Sequence, residues 1–333
     1  MMKVFIDVNS ANQRFDRFLR KFFKEYPAVK LTDIFSSIRK GEILVSWKKK
    51  KAEYRLLIGD EIEIPETLLQ NGKVQLKTSK EIKQKKLAKV SQENVKKMII
   101  YEDQNWVVFN KPAGVVLHES NKHWNDLSMN DYLEFYASDC KDKTFKPSFG
   151  YRLDKDTSGV LVGAKKYEAL QYLNQIIRER KIDKWYYTLV VGKTPKKFTI
   201  NKSIEKVYDK EFDRSKMVLN KEGLECKTEC ETIKTLHHPV LGEISFLKVK
   251  IYTGRMHQIR IHLSSEGYPV LWDLIYGNPM INRKLNKLLH ISRQLLHCYK
   301  YSFKDLTWKS VSFTAELPSD FESILWEGRS FIS

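Results

Sequence analysis

The run Phe149-Gly150-Tyr151-Arg152-Leu153-Asp154-Lys155-Asp156-Thr157-Ser158-Gly159 leads directly into the apolar segment Val160-Leu161-Val162-Gly163-Ala164. An unbroken apolar and β-branched run predicts a buried strand. Charge abutting a core strand is costly unless it is paired or used. The polar segment is therefore expected at the strand's mouth, where a carboxylate can be half desolvated beside a cation, a common setting for catalysis. Asp154-x-Asp156-x-Ser158-Gly159 also copies the first half of a calcium-binding EF-hand loop, but the twelfth position, which requires a bidentate Glu, is Lys165. From these residues alone, a surface turn that merely caps a strand competes with a catalytic loop.

The next feature downstream of the chain's start is charge. Of 333 residues, 59 are basic and 41 acidic, a formal net charge of +18 that favours nucleic acid or another anionic surface as partner. A hydrophobic content of 42% is enough for a sizeable core and excludes a disordered tail. Met1 to Ser10 lacks a charged-then-apolar leader pattern, and no apolar run approaches a transmembrane length, so a cytoplasmic protein without membrane contact is expected. Cys140, Cys226, Cys230 and Cys298 show no Cys-x-x-Cys pairing and are expected as free thiols.

Phe15, Phe18, Leu19 and Phe22 share one helical face and Arg14, Arg17, Lys21 and Lys24 occupy the other, which predicts a helix from Gln13 that packs on one side and is basic on the other. Pro27 ends it, and Thr32 is expected to cap a second helix that stops at Gly41. Glu42 to Trp47 reads as a strand, Lys48 to Lys51 as a charged turn, and Tyr54 to Ile64 as strands broken at Gly59-Asp60. Arg39-Lys40-Gly41-Glu42 and Gly59-Asp60-Glu61-Ile62, in that order of elements, resemble the S4 RNA-binding domain over residues 13–64. Residues 13–97 hold 22 Lys and Arg against 11 Asp and Glu, a concentration that favours phosphate contacts, with Arg17, Lys21, Lys24, Arg39 and Lys40 as candidates. Residues 65–97 read as a basic linker.

Tyr151-Arg152-Leu153-Asp154-Lys155-Asp156-Thr157-Ser158-Gly159 is similar to the signature of the pseudouridine synthases that act on large-subunit ribosomal RNA, with Tyr151 where that family usually has His. The resemblance continues in Tyr101-Glu102-Asp103, in Asn110-Lys111-Pro112-Ala113-Gly114 and in Lys184-Trp185-Tyr186-Tyr187-Thr188, with Thr188 where Ala is usual. Thr253-Gly254-Arg255-Met256-His257-Gln258-Ile259-Arg260-Ile261-His262 follows, with Met256 in place of Thr or Ser, and then Tyr268 to Gly277 and Arg293 to His297. Trp272 resembles the C branch of the family. The likeness covers residues 98–318 as a catalytic domain.

It implies an α+β chain, in which a small S4-like domain of two helices and strands precedes a mainly antiparallel mixed sheet. It further implies an RNA partner, large-subunit ribosomal RNA above all, and a reaction that needs no cofactor or metal: uracil leaves C1′, turns, and rejoins through C5. Asp154 is carried over as the catalytic carboxylate, acting as nucleophile or as base, and Arg260 as the cation that keeps it ionised. Tyr186 would stack on the extruded uracil and assist proton loss at C5, and Arg152 would fill the space the base vacates. Tyr151 is expected only to support the loop, and a monomer is expected. His257 and His262, five apart, suit neither one helical face nor one strand face as a metal pair. Two rival classes are a non-catalytic RNA-binding factor with a decayed second domain, and a methyltransferase, for which the glycine-rich cofactor loop is missing.

Overall fold

The structure is a computed structural model that describes residues 1–7, 10–23, 26, 29–70, 87–88, 90–118, 126–140, 145–209, 211–212 and 214–327. The chain divides into two units, Met1–Lys85 and Lys86–Ser333.

In the first unit, strand β1 (Met2–Phe5) precedes helices α1 (Phe15–Phe22) and α2 (Leu31–Lys40), strands β2 (Leu44–Val45) and β3 (Glu61–Ile64), and the short helix α3 (Glu66–Gln70). The strands form an antiparallel sheet in the order β1-β3-β2. The predicted apolar face holds: Phe15 and Leu19 are fully buried against Ile34, Ile38, Ile43, Leu56 and Ile62. Helix α2 starts one residue before the expected cap, because the Lys30 amide donates to Asp33 Oδ2 at 2.9 Å and Thr32 makes no cap. Gly41 ends it at φ +78°, a left-handed conformation that favours glycine. The strand expected over Glu42 to Trp47 shortens to two residues, since Ser46 and Trp47 both take positive φ and turn the chain. Of Tyr54 to Ile64 only Glu61–Ile64 is a strand, and its long partner is β1, which pairs Met2 with Ile64. Of the linker reading, residues 71–86 and 89 lie outside the described set, as does Pro27, and Gln92–Lys96 forms helix α4, capped by Ser91 Oγ.

The second unit continues with β4 (Ile99–Glu102), β5 (Trp106–Lys111), α5 (Met129–Tyr136), β6 (Ser148–Phe149), β7 (Ser158–Ala164), α6 (Tyr167–Arg178), β8 (Asp183–Val191) and β9 (Lys197–Asn201). After it come β10 (Ile204–Asp209), β11 (Arg214–Leu219), β12 (Lys227–His238), β13 (Gly242–Ile251), α7 (Gln258–Ser265), α8 (Pro279–Leu289), β14 (Leu296–Lys304), β15 (Ser310–Thr314) and α9 (Ser319–Glu327). A ten-stranded sheet runs β4-β5-β7-β14-β8-β13-β12-β9, with β15 on β14 and β6 on β7. All its pairings are antiparallel except β7 with β14. Strands β10 and β11 form a separate two-stranded ribbon.

The central motif behaves as its composition predicts: every residue of β7 is buried, and α6 after it packs Ala169, Leu173 and Ile176 inward. Its parallel pairing with β14 is only two residues long, Ser158 and Gly159 opposite His297 and Cys298. Farther along, β6 takes over the same edge at Gly163 and Ala164. Between the two, the Tyr151 hydroxyl donates to the Val160 carbonyl at 2.9 Å and accepts from the Val162 amide at 3.1 Å, while its ring stacks on Tyr301. A single oxygen thus satisfies the two ladder groups that neither neighbouring strand reaches. An imidazole nitrogen can donate or accept, but not both at one atom.

Tyr151→Phe keeps the stacked ring and orphans both backbone groups. It is expected to cost about 2 kcal/mol, read as a lowered urea midpoint of the full chain at unchanged slope.

Candidate active site

The loop that carries Asp154 is held from beneath by Lys111, the last residue of β5. Lys111 is fully buried, and its Nζ donates to the carbonyls of Pro112 at 2.9 Å, Lys155 at 2.8 Å and Thr157 at 2.9 Å. Three acceptors match the three protons of an ammonium. Burial pulls its pKa down to about 7, against the opposing pull of Asp156 and Asp154. On the other side Gln294 donates to Thr157 Oγ1 at 2.8 Å, and Ser158 Oγ lies 2.9 Å from His297 Nδ1. Gly159 then passes so close to β14 that a Cβ there would stand 2.1 Å from the Cys298 carbonyl oxygen. Only glycine admits that approach, and it brings the loop to the level of Tyr186, which pairs with Cys298 from the other side.

Asp154 is partly open to the cleft. Its Oδ2 accepts from Arg260 Nη1 at 3.0 Å. The same guanidinium donates through Nε to Asp273 Oδ2 at 2.6 Å and through Nη2 to Asp273 Oδ1 at 2.9 Å. Arg260 is 4% exposed and Asp273 1%. Asp273 also accepts the amides of Ile275 at 2.8 Å and Tyr276 at 3.0 Å. Burial alone would raise the Asp273 carboxyl, and the Arg260 and amide bonds more than reverse it, holding its pKa below the ordinary 3.8. Burial also opposes the charge on Arg260, and Asp273 and then Asp154 overcome it, so the guanidinium stays charged.

The cleft beside Asp154 is lined by Arg152, Leu153, Tyr186, Met256, His257 and Arg260, among others. Four sequence-predicted residues, Asp154, Tyr186, Arg260 and Arg152, therefore meet at one cavity. Arg152 is exposed at its edge. Tyr186 is buried, which together with Cys298, Tyr301 and Asp154 holds its phenol well above the ordinary pKa. The Thr188 departure is accommodated by a hydrogen bond from Oγ1 to the Leu295 carbonyl at 2.8 Å, and Met256 packs against the cluster of Ile204, Met217 and Cys226. Tyr151 lines neither cavity that adjoins Asp154.

The two histidines serve different partners. His262 is wholly buried between Thr228 Oγ1 and the Lys202 carbonyl, each at 2.9 Å. His257 instead lies with Nε2 3.7 Å from Asp154 Oδ2 and Nδ1 3.0 Å from Tyr276 Oη. Among the described residues, no group of three or more His, Cys, Asp or Glu is gathered to hold a metal ion, and no helix is long and apolar enough to cross a membrane. Asp273, Tyr276, Lys111 and Gln294 carry no role in the sequence reading. Their signal was present only as membership of motif blocks. The four cysteines are free thiols.

In the first unit Arg17, Lys21, Arg39 and Lys40 are all exposed, and Lys24 lies outside the described residues. Lys21 reaches Gln13 and Lys40 faces Glu42 at 3.6 Å. Arg39 borders a groove between α2 and the loop Lys49-Lys50-Lys51.

Because the Asp273 pKa is depressed in the folded chain, its stabilisation is complete above its unfolded value and is lost as pH falls through the folded one. Asp273→Asn should therefore be less stable than wild type at pH 6. The gap between the two in urea denaturation should narrow as the pH is lowered toward 3. A constant gap would show that the carboxylate does not titrate with folding.

Residues 105–265 match the profile of the RNA pseudouridylate synthases. The chain is 31% identical to ribosomal large subunit pseudouridine synthase C of Buchnera aphidicola subsp. Schizaphis graminum, covering 97% of this chain and 96% of that one. It is also 31% identical to synthase C of Vibrio parahaemolyticus, over 96% and 94%. Ribosomal large subunit pseudouridine synthase D of Borreliella burgdorferi is 33% identical over 68% and 67%. In fold, the human RNA pseudouridylate synthase domain containing 4 superposes with a TM-score of 0.55 at 23% identity, covering 72% of this chain and 95% of that one. With 31% identity over nearly the whole length of both chains, the chain belongs to the RNA pseudouridine synthase family.

Proposed function

We propose that this protein converts uridines of large-subunit ribosomal RNA to pseudouridine, with Asp154 as the reacting carboxylate. The observation that carries this reading is the Arg260 fork. One buried guanidinium grips Asp273 with two hydrogen bonds and gives Asp154 only one. Asp273 is saturated, whereas Asp154 keeps lone pairs free toward the cleft.

In the reaction the C1′–N1 bond of the target uridine breaks, the uracil turns, a C1′–C5 bond forms, the C5 proton leaves and N1 takes up a proton. Asp154 acts on the ribose, as nucleophile at C1′ or as base at C2′, and both routes use the carboxylate that Arg260 orients. Tyr186 offers a flat, neutral wall for the extruded uracil. Arg152, at the open edge, is placed to occupy the gap left in the RNA. The choice of ribosomal RNA follows the names of the relatives and the basic first unit. That unit acts as an S4-like module over residues 13–64, with Arg17, Lys21, Lys24, Arg39 and Lys40 on RNA phosphates, while residues 98–318 perform the chemistry. No cofactor enters this sequence of steps.

Two measurements test the reading. Wild-type protein incubated with ribosomal RNA tritiated at uridine C5, and with nothing else, should release tritium, whereas Asp154→Asn should bind the RNA and release none. Release by that variant would remove Asp154 from the reaction, and no release by wild type would favour an RNA-binding factor that does no chemistry. Replacing the five basic residues of the first unit by Gln should flatten the salt dependence of RNA binding by roughly three units, at about 0.7 per phosphate contact. The maximal rate should stay near wild type, and an unchanged slope would leave the basic surface without a role.

A further inference from the structure

His257 sits at φ +54°, immediately before α7, and borders both cavities that adjoin Asp154. Its surroundings determine which ring nitrogen carries the proton. The Met217 amide of β11 donates to Tyr276 Oη at 2.7 Å, so the hydroxyl is already an acceptor there. Burial pushes the Tyr276 phenol up to about 12, which keeps its proton in place. Burial pulls the His257 imidazole down to about 4, which keeps the ring neutral although Asp154 and Asp273 favour its charge. The Tyr276 O–H then has His257 Nδ1, 3.0 Å away, as its acceptor. A neutral ring that accepts at Nδ1 carries its proton on Nε2. That nitrogen faces Asp154 Oδ2 at 3.7 Å, the same oxygen that Arg260 holds.

We infer that His257 is a positioning residue for Asp154. Its Nε2–H is directed at Oδ2, in a tautomer selected by Tyr276 and, through it, by the backbone of the β10–β11 ribbon. This rests on Asp154 being the reacting carboxylate and adds to Arg260 a second, uncharged donor that fixes the rotation of the carboxyl group. At 3.7 Å the contact is longer than a hydrogen bond, as such contacts commonly are before substrate tightens them. A neutral donor suits this place. Burial penalises a charged imidazole here more than Asp154 and Asp273 favour it, whereas the N–H dipole orients the oxygen without that cost. Tyr276 ties the two together, since its ring also lies 5.3 Å from the Arg260 guanidinium.

The test compares wild type, His257→Gln, His257→Met, Tyr276→Phe and Asp154→Asn in single-turnover tritium release and in RNA binding. His257→Met and Tyr276→Phe should each slow the maximal single-turnover rate about tenfold while the half-saturating RNA concentration stays within about twofold. His257→Gln, whose amide N–H can reach toward Oδ2, should recover most of that loss. Equal rates for the Gln and Met variants would show that His257 only fills space, and a wild-type rate in His257→Met would show that it does nothing; either result overturns the inference. If His257→Met fails to fold, Tyr276→Phe decides, because it keeps the ring and removes only the hydroxyl. A rate within twofold of wild type would then overturn the inference. Turnover by Asp154→Asn is a separate result, which would remove the assignment on which the inference stands.

Discussion

The Arg260 guanidinium is the interaction on which the catalytic half of this protein depends. One cation is shared between two carboxylates that differ sharply in surroundings, Asp273 with no side-chain exposure and Asp154 with 17%. Burying an ion pair costs several kcal/mol per ion unless its remaining donors and acceptors are satisfied. Asp273 meets that condition with two guanidinium bonds and two backbone amides. It acts as the fixed anion that aims the arginine. Asp154 receives only the third contact, so it is oriented without being saturated by its partner. The role proposed for Asp154 draws on that asymmetry.

The sheet supplies the geometry that the ion pair needs. Asp154 lies before β7, Tyr186 within β8 and Arg260 on α7, more than one hundred residues from one end of this set to the other. They converge because β14 runs between β7 and β8, with Gly159 and Tyr186 both opposite Cys298. The close approach at Gly159 determines the distance between loop and tyrosine, and Lys111 stops the loop from lifting. Tyr151 solves a local problem created by the same arrangement. It closes the short stretch of β7 where β14 has departed and β6 has not yet begun. The change from the family's usual His is thus a change in how a strand edge is satisfied.

Much of this architecture was legible in the residues. The apolar run of β7, the amphipathic helix α1 and the glycine at the end of α2 all follow from local periodicity and turn chemistry. Local patterns failed where a distant partner decides the outcome. Strand β1 exists because β3, some sixty residues later, accepts it. The segment Tyr54 to Ile58, apolar enough to read as a strand, makes only an isolated bridge, Arg55 opposite Arg14. The cap of α2 fell to Asp33 because the side chain that reached the free amide outranked the residue type usually preferred.

For the site, the sequence by itself named its candidate reactive members. Asp154, Tyr186, Arg260 and Arg152 lie in motif blocks whose charge would be costly in a core without a use, and the family likeness assigned each a role. The tertiary structure alone decided which other groups hold them: Asp273 behind Arg260, Lys111 beneath the loop, Tyr276 against His257. Those partnerships join segments whose separation along the chain carries no periodic signal. They depend on hydrogen-bond distances of about 3 Å, which strand register and the start of α7 set and which residue type and spacing cannot encode.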